Sequence, residues 1–187
     1  MPVSLNSHAM MIETPVSTPV SNPVLQTNAK FMWSHPARIL ALGFGSGLSP
    51  IAPGTVGTAW AWMTFSLLQI HMSDGLWALL IATSFVLGWW ACTVTARHME
   101  VADPGSIVWD EIVAFWLVLW LISPSGFWGQ LVAFALFRYF DAAKPGPVAW
   151  ADKNFKGFGA RGGFGIMLDD LVAAFCTLLV IAIWRFV

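Results

Sequence analysis

Apolar runs separated by short polar connections make up the chain after about residue 30. A helix that crosses a membrane needs about 20 apolar residues. The runs that approach or reach this length are 54–70, 75–95, 107–122, 126–143 and 167–187. The second and fifth are long enough to cross a bilayer outright, whereas the others need flanking turns or enter it only in part. We therefore predict an all-α, polytopic integral membrane helical bundle with four to five transmembrane helices.

The N-terminal segment has a different composition. Residues 1–30 are rich in Ser, Thr, Pro, Asn and Val, and only Glu13 and Lys30 are charged. A signal peptide would show a basic start, a short apolar core and a small-residue cleavage site, and this pattern is absent from the segment. Its composition is typical of a disordered tail. We expect a disordered N-terminal tail at 1–32 and a membrane domain at 33–187.

Composition supports the membrane assignment and excludes several classes of protein. Hydrophobic residues make up 57% of the chain and charged residues 10%, against about 25% charged in a typical soluble domain. A net charge of −1 offers no basic surface for a nucleic acid. The two cysteines, Cys92 and Cys176, lie in apolar surroundings and predict neither a disulfide framework nor a zinc site.

Positive charge lies almost wholly on one side of the predicted bundle. The connection near His71–Asp74 and the turn Ser123–Ser125 contain no Lys or Arg. The other side carries Lys30, Arg38, Arg97, Lys144, Lys153, Lys156 and Arg161. Because Lys and Arg favour the cytoplasm, we place the N-terminus, the 96–106 loop and the 144–166 loop inside the cell.

Five of the ten acidic residues lie at the ends of apolar helices. Asp110 and Glu111 begin the third predicted helix, Asp141 ends the fourth, and Asp169 and Asp170 begin the fifth. An ionised carboxylate in hydrocarbon costs at least about 2.5–3.5 kcal/mol. Alternating helices bring all three places to the cytoplasmic face, where the carboxylates would repel one another without a cation. Oxygen-only ligands indicate Mg²⁺ or a similar hard cation.

Cationic side chains near these carboxylates have two interpretations. Arg138, Asp141 and Lys144 are spaced by three and share one stripe of a helix that Pro145 ends. Two cations beside a carboxylate at the water boundary suit an anionic ester. The alternative is purely structural pairing of the carboxylates with Arg138, Lys144 and Arg161.

Two glycine-rich segments flank the same face, and we predict both as cytoplasmic loops. Gly43–Thr58 leads into the first clear helix, and Gly157–Gly165 leads into the last. Backbone N–H groups of such loops can approach a phosphate at a helix N-terminus. Close helix packing is the alternative role for glycine in a membrane protein. Arg161 favours phosphate binding in the second segment, because a guanidinium binds phosphate through two hydrogen bonds.

Other phosphatase chemistries find little support. The segment Cys92–Arg97 lacks the glycine-rich turn of a phosphocysteine loop and lies in a predicted helix. The four histidines, His8, His35, His71 and His98, are not expected to cluster. Only His98 lies near the carboxylate side, so a histidine-based phosphatase is disfavoured.

Five ordered blocks carry a family resemblance: Gly43–Pro50, Pro53–Thr55, Asp103–Glu111, Phe137–Pro145 and Gly162–Asp170. Together they closely resemble the phosphatidylglycerophosphatase A family, from about residue 33 to the last helix. Ala114 and Ala174 stand where glycine would be usual in that family. These two departures affect packing more than chemistry.

The resemblance implies a Mg²⁺-dependent, multi-pass phosphatase of the bacterial inner membrane with its active site facing the cytoplasm. It would convert phosphatidylglycerophosphate to phosphatidylglycerol, a step of phospholipid biosynthesis. The identity of this phospholipid substrate comes from the resemblance alone. The residues independently indicate the membrane face, a hard cation and an anionic substrate.

The predicted site combines these arguments. Glu111, Asp141 and Asp170 are the expected metal ligands, with Asp110 and Asp169 supporting them. Lys144 and Arg161 would neutralise the phosphate, and Arg138 would orient Asp141 or contact the headgroup. The predicted substrate-binding set is completed by Ser46, Ser49, Thr55 and Gly163. Direct attack by water is preferred to an aspartyl-phosphate, because no carboxylate lies in an evident nucleophile motif.

Two other functions have their own signatures. A transferase acting on a CDP-linked lipid would carry a longer series of aspartates along one helix, whereas this chain spreads its acids over three. A small cation or proton transporter would carry charges near the bilayer centre and on both faces. The one-sided distribution of charge favours the phosphatase over both.

Overall fold

The computed structural model describes residues 27–186, which form helices and connections without a β-strand. The helices are α1 (Ala29–Trp33), α2 (Pro36–Ala41), a 3₁₀ segment (Gly43–Leu48), α3 (Pro53–Leu68), α4 (Asp74–Met99), α5 (Trp109–Ile122), α6 (Phe127–Ala143), α7 (Pro147–Phe155) and α8 (Gly159–Phe186). The all-α prediction is confirmed. The five predicted apolar segments correspond to α3, α4, α5, α6 and α8.

Two helices are long and apolar enough to cross a membrane, α4 and α8. The sequence predicted the same two helices to be long enough to cross a bilayer without flanking turns. The other three apolar helices have 16, 14 and 17 residues, fewer than the about 20 that a perpendicular crossing needs. The count of four to five spans therefore stays a prediction.

Helix α5 forms the centre of the bundle. After its first turn it is apolar around its whole circumference, and such a helix is stable only when neighbours cover it on all sides. Helices α3, α4, α6 and α8 pack around it. Because α5 begins at Trp109, its first turn carries Asp110 and Glu111 directly into the middle of the bundle.

Small side chains allow α4 and α8 to pack closely. Gly88 of α4 has no room for a side chain, since a Cβ there would lie 2.6 Å from Trp109 and 2.9 Å from the Met167 sulfur. Gly163 of α8 lies against Thr93 in the same way. Apolar association between helices in lipid gains little from burial alone, so close backbone approach is the usual source of stability.

The second glycine-rich segment is not a loop. Helix α8 begins at Gly159, so Gly162, Gly163 and Gly165 are helical. The prediction of a glycine-rich loop there, with Asp169 and Asp170 at the start of the last helix, is wrong. The reason is packing: a Cβ at Gly162 would lie 1.9 Å from the Gly157 carbonyl oxygen, and one at Gly165 would lie 2.6 Å from that of Phe155.

Two further boundaries differ from the sequence interpretation. Helix α1 begins at Ala29, and its Phe31 and Met32 are buried against Leu42, so the folded part starts before residue 33. The predicted disorder of residues 1–26 lies outside the described residues. The 144–166 connection contains the helix α7, which buries Val148 and Ala151 and packs on α8.

Candidate active site

Carboxylates from three helices meet at one end of the bundle. Helix α5 supplies Glu111, α6 supplies Asp141 and α8 supplies Asp170. One oxygen from each lies within 4.8 Å of the others. Glu111 is 9% exposed and Asp170 3%, while Asp141 is partly buried. The structure thus brings together the three residues that the sequence predicts as metal ligands.

Arg138 connects two of these carboxylates. Its Nη1 donates to Glu111 Oε1 at 3.1 Å and also to Asp141 Oδ2. The same nitrogen lies 3.4 Å from Thr58 Oγ1 on α3. Arg138 and Asp141 are one turn apart on α6, and their contact would allow the guanidinium to orient Asp141, one of the two roles predicted for it.

Glu111 keeps an unused oxygen. Its Oε2 is buried and accepts no hydrogen bond from any of the residues 27–186. A buried carboxylate oxygen without a partner is costly, and a hard cation is the partner that an all-carboxylate donor set suits best. The residues therefore fit Mg²⁺, with Glu111, Asp141 and Asp170 as the groups that would hold it.

Gly54 lets helix α3 reach this cluster. A Cβ at Gly54 would lie 1.9 Å from Glu111 Oε1 and 3.0 Å from Arg138 Nη1. The sequence placed Thr55 in the site and omitted Gly54 and Thr58, although all three lie in or beside the Pro53-Gly54-Thr55 block. Spacing alone could have suggested them, since Gly54 and Thr58 are four residues apart and share a helix face.

Lys144 lies in a second group of charges beside the first. Its Nζ donates to Asp169 Oδ2 at 2.6 Å and to Asp152 Oδ1 at 2.7 Å. Burial by itself would lower the pKa of Lys144, but the two carboxylates raise it well above its usual range. Burial would raise the pKa of Asp152, and the hydrogen bond and charge of Lys144 lower it overall. Lys144 is therefore a permanent cation beside the cluster.

Asp110 stands apart from the hydrogen-bonded groups. It is 8% exposed, and its Oδ1 is a second buried oxygen without a hydrogen-bond partner in the described part of the chain. Adjacent helical residues point about 100° apart, so Asp110 cannot share the direction of Glu111. Asp110 and Asp169 each directly precede one of the three converging carboxylates in the chain, and their supporting roles stay a prediction.

The predicted phosphate-binding hydroxyls are engaged elsewhere. Ser46 Oγ donates to the Gly43 carbonyl at 2.9 Å, and Ser49 Oγ donates to the Ile51 carbonyl at 2.8 Å. Thr55 is half-buried in the first turn of α3, next to Gly54. The two serine hydroxyls thus shape the turn that precedes α3.

Arg161 lies away from the carboxylates. Its Nη2 donates to the Asn154 carbonyl at 2.7 Å, and its guanidinium carbon lies 5.9 Å from the centre of the Phe155 ring. It precedes Asp170 by nine residues of α8, about 13 Å along the helix axis. In this structure Arg161 binds the end of α7 rather than the predicted phosphate site.

Two histidines are closer than the sequence suggested. The rings of His35 and His98 lie 5.4 Å apart, and Arg38 Nε donates to His98 Nδ1 at 3.2 Å. The expectation that the histidines do not cluster is wrong for this pair, because α2 packs on the end of α4. No ion pair within residues 27–186 joins either ring to a carboxylate.

Most of this chain is similar to known proteins. The family model for phosphatidylglycerophosphatase A matches residues 39–185. The chain belongs to the phosphatidylglycerophosphatase A family. It is 41% identical over 146 residues to phosphatidylglycerophosphatase A of Escherichia coli, covering 78% of this chain and 81% of the relative. It is 40% identical over 147 residues to that of Haemophilus influenzae, covering 79% and 87%.

A third relative carries a different substrate in its name. The chain is 36% identical over 157 residues to a Bacteroides thetaiotaomicron protein provisionally named a phosphatidylinositol-3-phosphatase, covering 80% of this chain and 93% of the relative. No solved structure gives a significant match. Family membership confirms the resemblance and the prediction of a phosphatase, a phosphoric monoester hydrolase. The matched region contains all five predicted carboxylates and Arg138.

The role of Gly163 can be tested by adding one methyl group. We expect Gly163→Ala to lower the free energy of unfolding by about 1–3 kcal/mol, the usual cost of overpacking. Its Cβ would lie 1.9 Å from Thr93 Oγ1 and 2.8 Å from the Thr93 backbone nitrogen. Thermal unfolding in detergent measures the effect. Gly75→Ala is the matched control, because nothing lies within 4 Å of a Cβ there. A raised KM for substrate without a loss of stability would instead support phosphate binding at Gly163.

Proposed function

We propose that this protein removes the terminal phosphate of phosphatidylglycerophosphate and leaves phosphatidylglycerol, in a bacterial inner membrane and with Mg²⁺. The observation that carries the proposal is the convergence of Glu111, Asp141 and Asp170 within 4.8 Å. This cluster lies inside the region that matches a family of phosphatases. The lipid substrate follows from the names of the relatives.

The chain's own residues would prepare the phosphate for hydrolysis. Glu111, Asp141 and Asp170 would hold Mg²⁺, and the chemistry that a bound Mg²⁺ supplies is polarisation of a phosphoryl oxygen and a lower pKa of bound water. Arg138 keeps Asp141 and Glu111 oriented through one nitrogen. Lys144, whose side chain is 30% exposed, would donate its third N–H to a phosphate oxygen at the water boundary. We propose direct attack by water rather than formation of an aspartyl-phosphate.

We propose that this end of the bundle faces the cytoplasm. The same end holds Arg97 and His98 at the end of α4, Lys144 after α6, and α7 with its Lys153. At the opposite end, the described connections near His71 and Pro124 contain no Lys or Arg. The positive-inside tendency supports the orientation. A crossing of the membrane by α3, α5 and α6 together with α4 and α8 would make the protein multi-pass.

Phosphate release from defined lipids tests the proposal. Purified protein in detergent should release phosphate from phosphatidylglycerophosphate with Mg²⁺ and lose that activity in EDTA. Phosphatidylinositol 3-phosphate is the comparison substrate, because one relative is named for it. A higher kcat/KM for phosphatidylinositol 3-phosphate would show that this lipid, and not phosphatidylglycerophosphate, is the preferred substrate. Activity that persists in EDTA would refute the requirement for Mg²⁺. Quenching with acid and finding no labelled phosphate on the protein would support attack by water, whereas a labelled aspartate would overturn it.

A further inference from the structure

A groove between α3 and α6 lies on the flank of the bundle. Its volume is about 450 Å³. The residues that line it are Ala59, Trp62, Met63, Ser66, Phe127 and Gln130. We propose that this groove binds one fatty acyl chain of the phospholipid substrate and so fixes the headgroup against the carboxylates. The proposal rests on the proposed function and adds a binding site for the lipid tail.

The groove follows from the packing of α3. Ala59, Trp62, Met63 and Ser66 recur at intervals of three and four, so they share one face of the helix. The opposite face of α3, with Ala61 and Phe65, is buried and packs on α5. Helix α6 also borders α5, which leaves an open channel between α3 and α6 on the outside of the bundle.

The walls of the groove are chemically suited to hydrocarbon. Gln130 Oε1 accepts a hydrogen bond from Trp62 Nε1 at 2.6 Å, and Gln130 Nε2 donates to the Ser125 carbonyl at 3.1 Å. Ser66 Oγ donates to the Trp62 carbonyl at 2.9 Å. Because these polar groups already have partners, the surface left for a ligand consists of aromatic rings, a methionine and methyl groups. An apolar chain fits such a surface, and a charged headgroup does not.

Helix α3 links the groove to the carboxylates. Gly54 in its first turn lies against Glu111, and Ala59, the first residue of the groove, follows five residues later. Ser66 lies twelve residues beyond Gly54 on α3, about 18 Å along the axis. The hydrocarbon of one leaflet is about 15 Å deep. A lipid whose phosphate lies at the carboxylate cluster would therefore have one chain beside α3 for the depth of its leaflet.

Filling the groove should separate tail binding from chemistry. Ala59→Phe places a ring in the groove, and Ala82→Phe is the matched control on the exposed face of α4. For dipalmitoyl phosphatidylglycerophosphate we expect Ala59→Phe to raise KM about tenfold with kcat unchanged, the signature of lost uniform binding. For glycerophosphoglycerophosphate, which is the same headgroup without acyl chains, we expect KM within about twofold of wild type. Equal losses on both substrates, or no loss on either, would overturn the proposal.

A second measurement does not depend on activity. Phosphatidylglycerol with a diazirine near the end of one chain should crosslink mainly to residues 59–66 and 127–130, and Ala59→Phe should reduce these adducts. Adducts spread evenly over the exposed face of α4 would refute an acyl-chain groove. Crosslinks between two copies through residues 59–66 would also refute it, because a second chain would then fill the groove. If no variant releases phosphate while the adducts map to the groove, the proposed reaction fails and the lipid site stands.

Discussion

Asp170→Asn is expected to abolish Mg²⁺-dependent phosphate release, with kcat/KM falling by at least about 10²-fold, because even residues behind a metal ligand cost 10–100-fold. Asp170 is the most buried of the three converging carboxylates, at 3% exposure. The asparagine keeps its size and removes its charge, so the change reports on the cation rather than on packing. Activity is measured as phosphate release from phosphatidylglycerophosphate in detergent.

Stability gives an independent measurement on the same variant. A ligand that binds only the folded protein raises its stability by about 2.7 kcal/mol at 100 times its Kd. Mg²⁺ should therefore raise the unfolding temperature of the wild type, and should do so much less for Asp170→Asn. In EDTA the unfolding temperature of the variant should equal or exceed that of the wild type, since the substitution removes one of several crowded negative charges.

Asp74→Asn is the matched control for this experiment. Asp74 is an exposed residue at the start of α4, where its Oδ1 accepts a hydrogen bond from Trp120 Nε1 at 3.1 Å. It should keep full activity and the full Mg²⁺ effect on unfolding. Undiminished activity of Asp170→Asn would refute the role of Asp170 as a metal ligand. An equal loss of activity in both variants would show that the substitutions act by disturbing the fold.

Arg138→Gln is expected to lower both activity and stability. The guanidinium donates to Glu111 and Asp141 at once, and its side chain is 19% exposed. Removing one partner of a fully buried ion pair costs about 3–5 kcal/mol, so a partly exposed arginine should cost somewhat less. Activity should fall at least about tenfold, because Asp141 loses the group that orients it.

Measuring the stability loss of Arg138→Gln with and without Mg²⁺ tests whether the loss comes from unneutralised carboxylates. Arg138 and Mg²⁺ would neutralise the same carboxylates, so the loss of unfolding temperature should be larger in EDTA than in Mg²⁺. Arg161→Gln is the control, because Arg161 binds the Asn154 carbonyl on the exposed side of α7. It should change activity less than twofold. Equal stability losses in EDTA and Mg²⁺ would contradict a shared role, and a large effect of Arg161→Gln would restore its predicted contact with phosphate.

Local patterns in the sequence were sufficient to predict where four of the apolar helices begin and end. Apolar runs and the proline after Lys144 predicted the bounds of α3, α4, α5 and α6 within a few residues. They did so because hydrophobic length and helix-ending residues act within one element. The same patterns failed at residues 157–165, where glycine serves either a loop or a close contact between helices. Only the position of Thr93 and Phe155 decides between the two.

The sequence by itself predicted that Glu111, Asp141 and Asp170 would lie at the same end of the bundle, because successive apolar helices alternate in direction. It placed Asp170 wrongly at the start of the last helix, which begins eleven residues earlier, at Gly159. The tertiary structure alone decided which oxygens meet, that Arg138 joins two of the carboxylates, and that Lys144 is held by Asp152 and Asp169. These contacts depend on the rotation of each helix about its axis. That rotation is set by packing between residues far apart in the chain, as is the groove between α3 and α6.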